Sequence, residues 1–224
     1  MLDQIIIGDK ASFDDFGASV AKRAAKQPKK KTIKETVPFS NVAYDFTAIN
    51  GEIYWEEREL EYVFEIIAPT PERLEELKTD FANWVMNVIQ QELHDPVIPD
   101  YHFLATYDDM SWDDDEGLDK TTATVSFLAY PYKISNVKKV YKFNVQGFNS
   151  LSTTILNNSS HRITPTVAVD SAITLQINDV SCVVHPNTAI DKSIKLETGA
   201  NTVSLIKQDR YECNATISFY EEVF

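Results

Sequence analysis

The chain has little glycine, six residues in 224. Phosphate cradles made of glycine runs are therefore excluded, and neither a G-x-G-x-x-G fingerprint nor a P-loop occurs. Cysteine is rarer still, with only Cys182 and Cys213. Two thiols do not make a disulfide scaffold, and in a reducing compartment the expected state is two buried free thiols. Both lie in strand-like runs, so they could be neighbours. The four histidines (His94, His102, His161, His185) show no ligand spacing with the cysteines, and the sequence assigns no metal ligand. No stretch approaches the ~18 apolar residues of a membrane span. The run Ile5 to Ile7 is too short, and too acidic in its flanks, for a signal peptide. Synthesis in the cytoplasm without membrane insertion is expected. There is no G-x-S-x-G elbow and no recognisable Cys–His signature. The expectation is a non-enzymatic chain with no cofactor.

What is present is an ordinary globular composition, 43% hydrophobic and 25% charged. The length suits two small domains. The formal net charge is −13, and it is sorted along the chain. Residues 10–34 carry eight basic residues (Lys10, Lys22, Arg23, Lys26, Lys29, Lys30, Lys31, Lys34) against Asp14 and Asp15, a net of +6. Residues 35–137 carry five basic and twenty-two acidic residues, a net of −17. Residues 138–224 balance, with eight of each sign. A basic arm could bind nucleic acid, but here it has no interleaved aromatics and stands beside a body that repels phosphate. It could equally be a solvated hairpin. The sharper reading is that the arm of one copy lies on the acidic face of the next, a head-to-tail contact that can close into a ring. The candidate interface residues are Lys22, Arg23, Lys26, Lys29, Lys30, Lys31 and Lys34.

The pattern divides the chain at about residue 137. In the first half, Gln4–Ile7 reads as a strand, and Ser12–Gly17 as a turn whose two phenylalanines pack inward. Residues 19–37 read as a hairpin arm, a strand and a second strand from Thr32 to Val37 around Gln27-Pro28. Asn50-Gly51 signals a turn. Leu60–Ile67 (LEYVFEII) reads as a core strand. One helix is predicted over 71–93. Thr70 caps it, Pro71 takes the first helical position, and Leu74, Leu77, Phe81, Trp84, Val85 and Val88 form an apolar stripe that should lie across a sheet. Tyr101–Tyr107 and Thr121–Ala129 read as strands, with an acidic loop over 108–119 between them. That loop is dense in oxygen ligands but fails the EF-hand pattern, so it reads as a solvated loop rather than a calcium site. In the second half, short β-rich runs recur at 139–145, 151–156, 162–169, 172–178, 180–185, 193–197, 202–207 and 213–220. Seven or eight short strands without a helical period indicate a β-sandwich. The fold class is α+β and mainly β.

A sugar-binding β-sandwich is the main rival reading for the second half. All three tryptophans (Trp55, Trp84, Trp112) lie in the first half. The second half offers Tyr141, Phe143, Phe148, Tyr211, Phe219, Tyr220 and Phe224, most of them at strand positions that a core would claim. A hydrolase would need paired carboxylates in a cleft, and so acidic a chain offers no pointer to a particular pair.

Particular residues resemble a known family. Ile5-Ile6-Ile7-Gly8 followed by Ser12-Phe13-Asp14-Asp15-Phe16-Gly17 is similar to the opening of the distal tail proteins, or baseplate hub proteins, of long-tailed bacteriophages. The likeness continues through Thr36-Val37-Pro38-Phe39-Ser40-Asn41, where the family more usually has a glycine. It continues through Tyr44-Asp45-Phe46, Tyr54-Trp55-Glu56-Glu57-Arg58-Glu59-Leu60, and the strand ending Phe127-Leu128-Ala129-Tyr130-Pro131-Tyr132. The second half follows with Thr164-Pro165-Thr166-Val167, Leu196-Glu197-Thr198-Gly199-Ala200-Asn201-Thr202-Val203 and Thr216-Ile217-Ser218-Phe219-Tyr220-Glu221-Glu222. No single motif is diagnostic, but their order and spacing span essentially the whole chain.

The resemblance implies a virion or prophage tail-tip component. Residues 1–137 would be a ring-forming belt domain, and residues 138–224 a galectin-like β-sandwich without room for inserted receptor-binding domains. The implied partners are five further copies in a hexameric ring, the tail tube protein, and a tail-tip or tail-associated protein. DNA would pass through the central channel without specific binding, and part of the acidic body would line that channel.

Overall fold

The computed structural model describes residues 3–36, 38–39, 41–48, 51–114 and 120–224. Two compact units emerge, Met1–Lys133 with Phe224, and Ile134–Val223. The chain is rich in strand, with one long helix, as the composition and periodicity led us to expect.

In the first unit the elements are β1 (Ile6–Ile7), β2 (Lys10–Ala11), α1 (Ser12–Phe16), β3 (Ala18–Ala25), β4 (Lys34–Thr36), β5 (Ala43–Asp45), β6 (Arg58–Ile67), α2 (Pro71–Met86), β7 (Gln91–His94), β8 (Tyr101–Asp114) and β9 (Lys120–Ala129). Seven of the strands make one antiparallel sheet in the order β2-β1-β7-β8-β9-β6-β3. The Val20 amide of β3 donates to the Asp3 carbonyl at 2.7 Å, tying β3 to the segment that leads into β1. β6 and β9 show why this core forms. Leu60, Tyr62, Phe64 and Ile66 on β6, and Ala123, Val125, Phe127 and Ala129 on β9, are buried at every second position, the period of a pleated strand.

The S-F-D-D-F-G opening becomes the five-residue helix α1. Its Ser12 hydroxyl accepts from the Ile5 amide, and the Gly17 amide closes the turn on the Phe13 carbonyl. Gly17 sits at φ 67°, a left-handed backbone that glycine adopts at no steric cost. Of the two phenylalanines expected inside, only Phe16 is buried; Phe13 is exposed. A single helical turn directs just one of them toward the sheet.

The long helix starts as expected. Thr70 accepts from the Arg73 amide at 3.3 Å, and Pro71 follows it. It ends at Met86, however, and not at residue 93. Gln90 has a positive φ of 47°, and Gln91–His94 joins the sheet as β7 between β1 and β8. The alternation of Leu93 in the core with Glu92 and His94 outside it is a strand pattern, which overrides the helical reading. On α2, Leu74, Phe81 and Val85 are buried. Phe81 packs against Phe16, Phe64, Trp84 and Trp112, with ring centroids 5.1–6.1 Å apart.

Two further expectations are corrected. The acidic segment is mostly strand: β8 continues to Asp114 and pairs with β9 through Asp114↔Thr121, past a bulge near Asp108. Carboxylates tolerate this because they occupy outward or ribbon-end positions. Lys78 binds Asp114 at 3.0 Å and lies over the Trp112 ring, tying the strand end to α2. The Thr121 hydroxyl and then the Lys78 ammonium hold the Asp114 carboxyl below the usual range. Residues 115–119, the rest of that expected loop, lie outside the described residues. The arm is also paired differently. β3 pairs with β6 and β4 with β5, so the expected β3–β4 hairpin does not form. Residues 26–31 continue alongside 54–59, and β4–β5 caps the ribbon. Asn50 of the expected turn lies outside the described residues.

The second unit holds β10 (Lys133–Val145), β11 (Ser150–Asn157), β12 (Thr166–Val169), β13 (Ile173–Ile177), β14 (Val180–Val184), β15 (Gly199–Ile206) and β16 (Cys213–Val223). The strands β12-β16-β10 form one layer and β11-β15-β13-β14 the other. Val145, Val167 and Ile217 from the first, with Ile155, Leu175, Val184, Val203 and Leu205 from the second, make one buried core. This is a β-sandwich. Residues 193–197, expected to be a strand, contribute only the bridge Ile163↔Leu196. Buried Asn201 replaces ladder bonds in that turn. It accepts from the Glu197 amide and Asn178, and donates to the carbonyls of Glu197 and Gly199, at 2.8–3.0 Å. Cys182 and Cys213 are free thiols.

All three tryptophans lie in the first unit, so their emission reports its unfolding alone. Phe81→Ala is expected to lower the stability of that transition by about 3–5 kcal/mol in guanidinium titrations.

Candidate functional site

The seven basic residues picked out by charge divide into two groups. Lys22, Arg23 and Lys26 stand on or beside β3, opposite the acidic outer face of β6. Lys22 lies 3.8 Å from Glu61, and Lys26 hydrogen-bonds Glu59. The Lys26 contact, through its hydrogen bond and then its charge, holds the Glu59 carboxyl below its ordinary value. Arg23 makes the most buried link of the three. Its Nε reaches the two carboxylate oxygens of Asp95 at 3.2 and 2.9 Å, and Nη1 reaches Asp3 at 3.4 Å. Asp95 is buried directly after β7, and it also accepts from the Tyr62 hydroxyl at 3.2 Å and the Val97 amide at 3.0 Å. All three bases are thus paired within the chain.

Lys29, Lys30, Lys31 and Lys34 lie further out, and all four are exposed. Among the described residues none of them forms an ion pair, although Lys29 is felt at Glu59 and Lys30 and Lys34 at Asp45. The outer end of the ribbon is unburied: every residue of β4 and β5 is exposed. Its apolar side chains are exposed too, with Ile33 at 54%, Tyr44 at 56% and Tyr54 at 53%. Tyr44 and Phe46 stack on one another at 6.4 Å. A strip combining unpaired ammonium groups with uncovered aromatic and aliphatic surface is suited to an acidic, partly apolar partner.

Sequence reasoning missed Arg58, which lies at the root of the ribbon. It is 3% exposed, and its Nε and Nη2 have no hydrogen-bond partner among the described residues. The signal was present in the strand period, since Arg58 is in phase with inward-facing Leu60, Tyr62, Phe64 and Ile66. Its guanidinium lies 5.5 Å from the Phe103 ring centre. Burial lowers the pKa of Arg58, and burial followed by the Arg58 charge lowers that of Lys133.

In the second unit the aromatics divide. Phe219 is buried, and Tyr141 and Phe143 pack against the core. Phe148, Tyr211 and Tyr220 remain exposed. Phe224 belongs to the first unit, where its ring lies 4.8 Å from both Trp55 and Tyr132.

The architecture is an antiparallel sheet with one long helix, followed by a two-layer β-sandwich. Among solved structures, it resembles that of SPP1 Dit, described as a paradigm of the hub adsorption apparatus in phages that infect Gram-positive bacteria. The two superpose with a TM-score of 0.69 over 99% of each chain, at 13% sequence identity. At that identity the likeness is one of fold. No protein-family model matches the chain, and no curated protein matches it in sequence.

Two predictions follow from the buried polar groups. Burial, and then the Asp95 charge, push the Tyr62 phenol well above its ordinary value. The folded state thus holds this proton more tightly than the unfolded chain does. Its stabilisation is complete below the unfolded value of about 10 and is lost as pH rises beyond it. Denaturant titrations between about pH 9 and 11 should show stability falling more steeply in the wild type than in Tyr62→Phe. Arg58→Met removes buried donors that lack acceptors, and it should raise the unfolding free energy of the isolated chain by about 1–3 kcal/mol. A loss of stability instead would show that the guanidinium is satisfied.

Proposed function

We propose that this chain is a structural component of a phage tail tip, a distal tail protein that assembles as a hexameric hub ring between the tail tube and the tip proteins. The observation that carries the proposal is the likeness in fold to SPP1 Dit, which extends over 99% of each chain. On this reading the first unit is the belt of the ring, and the sandwich, galectin-like in kind, faces the other tip proteins. The particle belongs to the virion or to a prophage-derived tail, and the chain carries out no catalysis.

The charge distribution supports the same reading. A ring that DNA traverses must not hold it, and DNA affinity grows with each phosphate neutralised. Residues 35–137 carry a net of −17, and the acidic belt would line the channel. Rings of identical subunits also need a heterologous contact, with two different patches on each copy. Lys29, Lys30, Lys31 and Lys34, with the uncovered Ile33, Tyr44 and Tyr54, form one such patch. The acidic belt of the next copy is the complementary one. Lys22, Arg23 and Lys26, which also belong to the basic arm, already pair within the chain with Glu61, Asp95 and Glu59, so on this reading they contribute less to the contact.

The test is the triple variant Lys29→Gln, Lys30→Gln, Lys31→Gln in analytical ultracentrifugation. The wild type should sediment as a ring. The variant should dissociate at salt concentrations that the wild type withstands, since rim charges are screened over about 8–10 Å at physiological ionic strength. A variant ring unchanged at every ionic strength would show that the ribbon is not the clasp.

A further inference from the structure

We propose that Glu92, His94 and His102 form a binding site for one divalent transition-metal ion of the zinc class. These three side chains are the one group of histidine, cysteine and carboxylate residues among the described residues whose ligand atoms converge, all lying within 4.8 Å of one another.

The strand geometry places them. Glu92 and His94 are two residues apart on β7, so they leave the sheet on the same side. His102 on β8 is the direct cross-strand partner of His94, and directly paired side chains share a face. The neighbouring pair Leu93↔Phe103 points the other way and is buried in the core. The result is a His–His pair with ring centroids 5.1 Å apart and a carboxylate reaching both rings. Glu92 Oε2 lies 3.3 Å from His94 Nε2, and Oε1 lies 3.9 Å from His102 Nε2.

Those separations suit a small ion. With metal–ligand bonds of about 2.0–2.1 Å in tetrahedral geometry, neighbouring ligand atoms stand about 3.3–3.4 Å apart. One pair already has that spacing, and side-chain rotation brings in the third. His102 is buried, which fixes one ligand, while Glu92 is exposed and His94 half-buried at the rim. Two imidazoles and one carboxylate favour Zn²⁺, Co²⁺, Ni²⁺ or Cu²⁺ over Mg²⁺ or Ca²⁺, which prefer an all-oxygen shell. Three protein ligands leave a fourth position for water or for a donor from another molecule. β7 is only four residues long, and it is followed at once by Asp95, which anchors Arg23 and Tyr62. An ion here would cross-link β7 to β8 beside that anchor.

The experiment uses the full chain, free of any affinity tag and stripped with a chelator, titrated with Co²⁺. The expected result is saturation at one equivalent, with the intense visible bands of a tetrahedral site, displaced by Zn²⁺ and unaffected by excess Ca²⁺. His94→Ala and His102→Ala should abolish the bands. Glu92→Gln should weaken binding by at least the ~10-fold that even an outer-shell change usually costs. His94 stands at the rim, so His94→Ala with wild-type circular dichroism carries the test if His102→Ala does not fold. No saturable Co²⁺ uptake by the wild type would overturn the proposal. So would uptake that His94→Ala leaves unchanged.

Discussion

The first unit depends on the two-residue period of β6. One face of that strand presents Arg58, Leu60, Tyr62, Phe64 and Ile66 to the interior; the other presents Glu59, Glu61 and Glu65. The inward face supplies the surface on which Phe81 and the rest of α2 pack, and the hydroxyl that binds Asp95. The outward face would be a row of unpaired like charges but for its neighbours. β3 answers Glu59 and Glu61 with Lys26 and Lys22, and β9 answers Glu65 with Lys120 at 3.2 Å. A slip of one residue would bury the glutamates and expose the core, so both flanking strands are held in register by the same alternation.

That constraint also separates what could be read in the sequence from what could not. The LEYVFEII alternation, the Thr70-Pro71 start of α2 and its apolar stripe are local patterns, and they led directly to the right elements. The pairing partners of β3 and β4 are not local. A basic segment followed by a proline reads as a hairpin whether it folds on itself or lies along a strand thirty residues later. The charge density of Asp108–Asp114 reads as a solvated loop, yet the outward positions of an antiparallel ribbon are solvent as well. The end of α2 was misplaced because Val88 continues the helical stripe while Gln91–His94 has already adopted the strand period.

The candidate sites were legible to different degrees. The basic patch is visible as a charge run, but only the fold divides it into residues paired within the chain and residues left exposed. Arg58 was within reach of a period-two argument and was passed over. The juxtaposition of His94 with His102 depends on cross-strand register, which no spacing along the chain reveals. Asn201 lies in a motif that carries the resemblance, and its four hydrogen bonds give the physical reason: its side chain ties the turn at Glu197 and Gly199 to the start of β15.

If the Lys29–Lys34 ribbon of one copy faces the acidic belt of the next, the purified chain closes into a ring by itself. Imaging the purified wild-type chain by negative-stain electron microscopy at moderate salt tests it most directly. Closed rings with six-fold symmetry and an open centre are expected. A field of dispersed monomers at every protein concentration would contradict it.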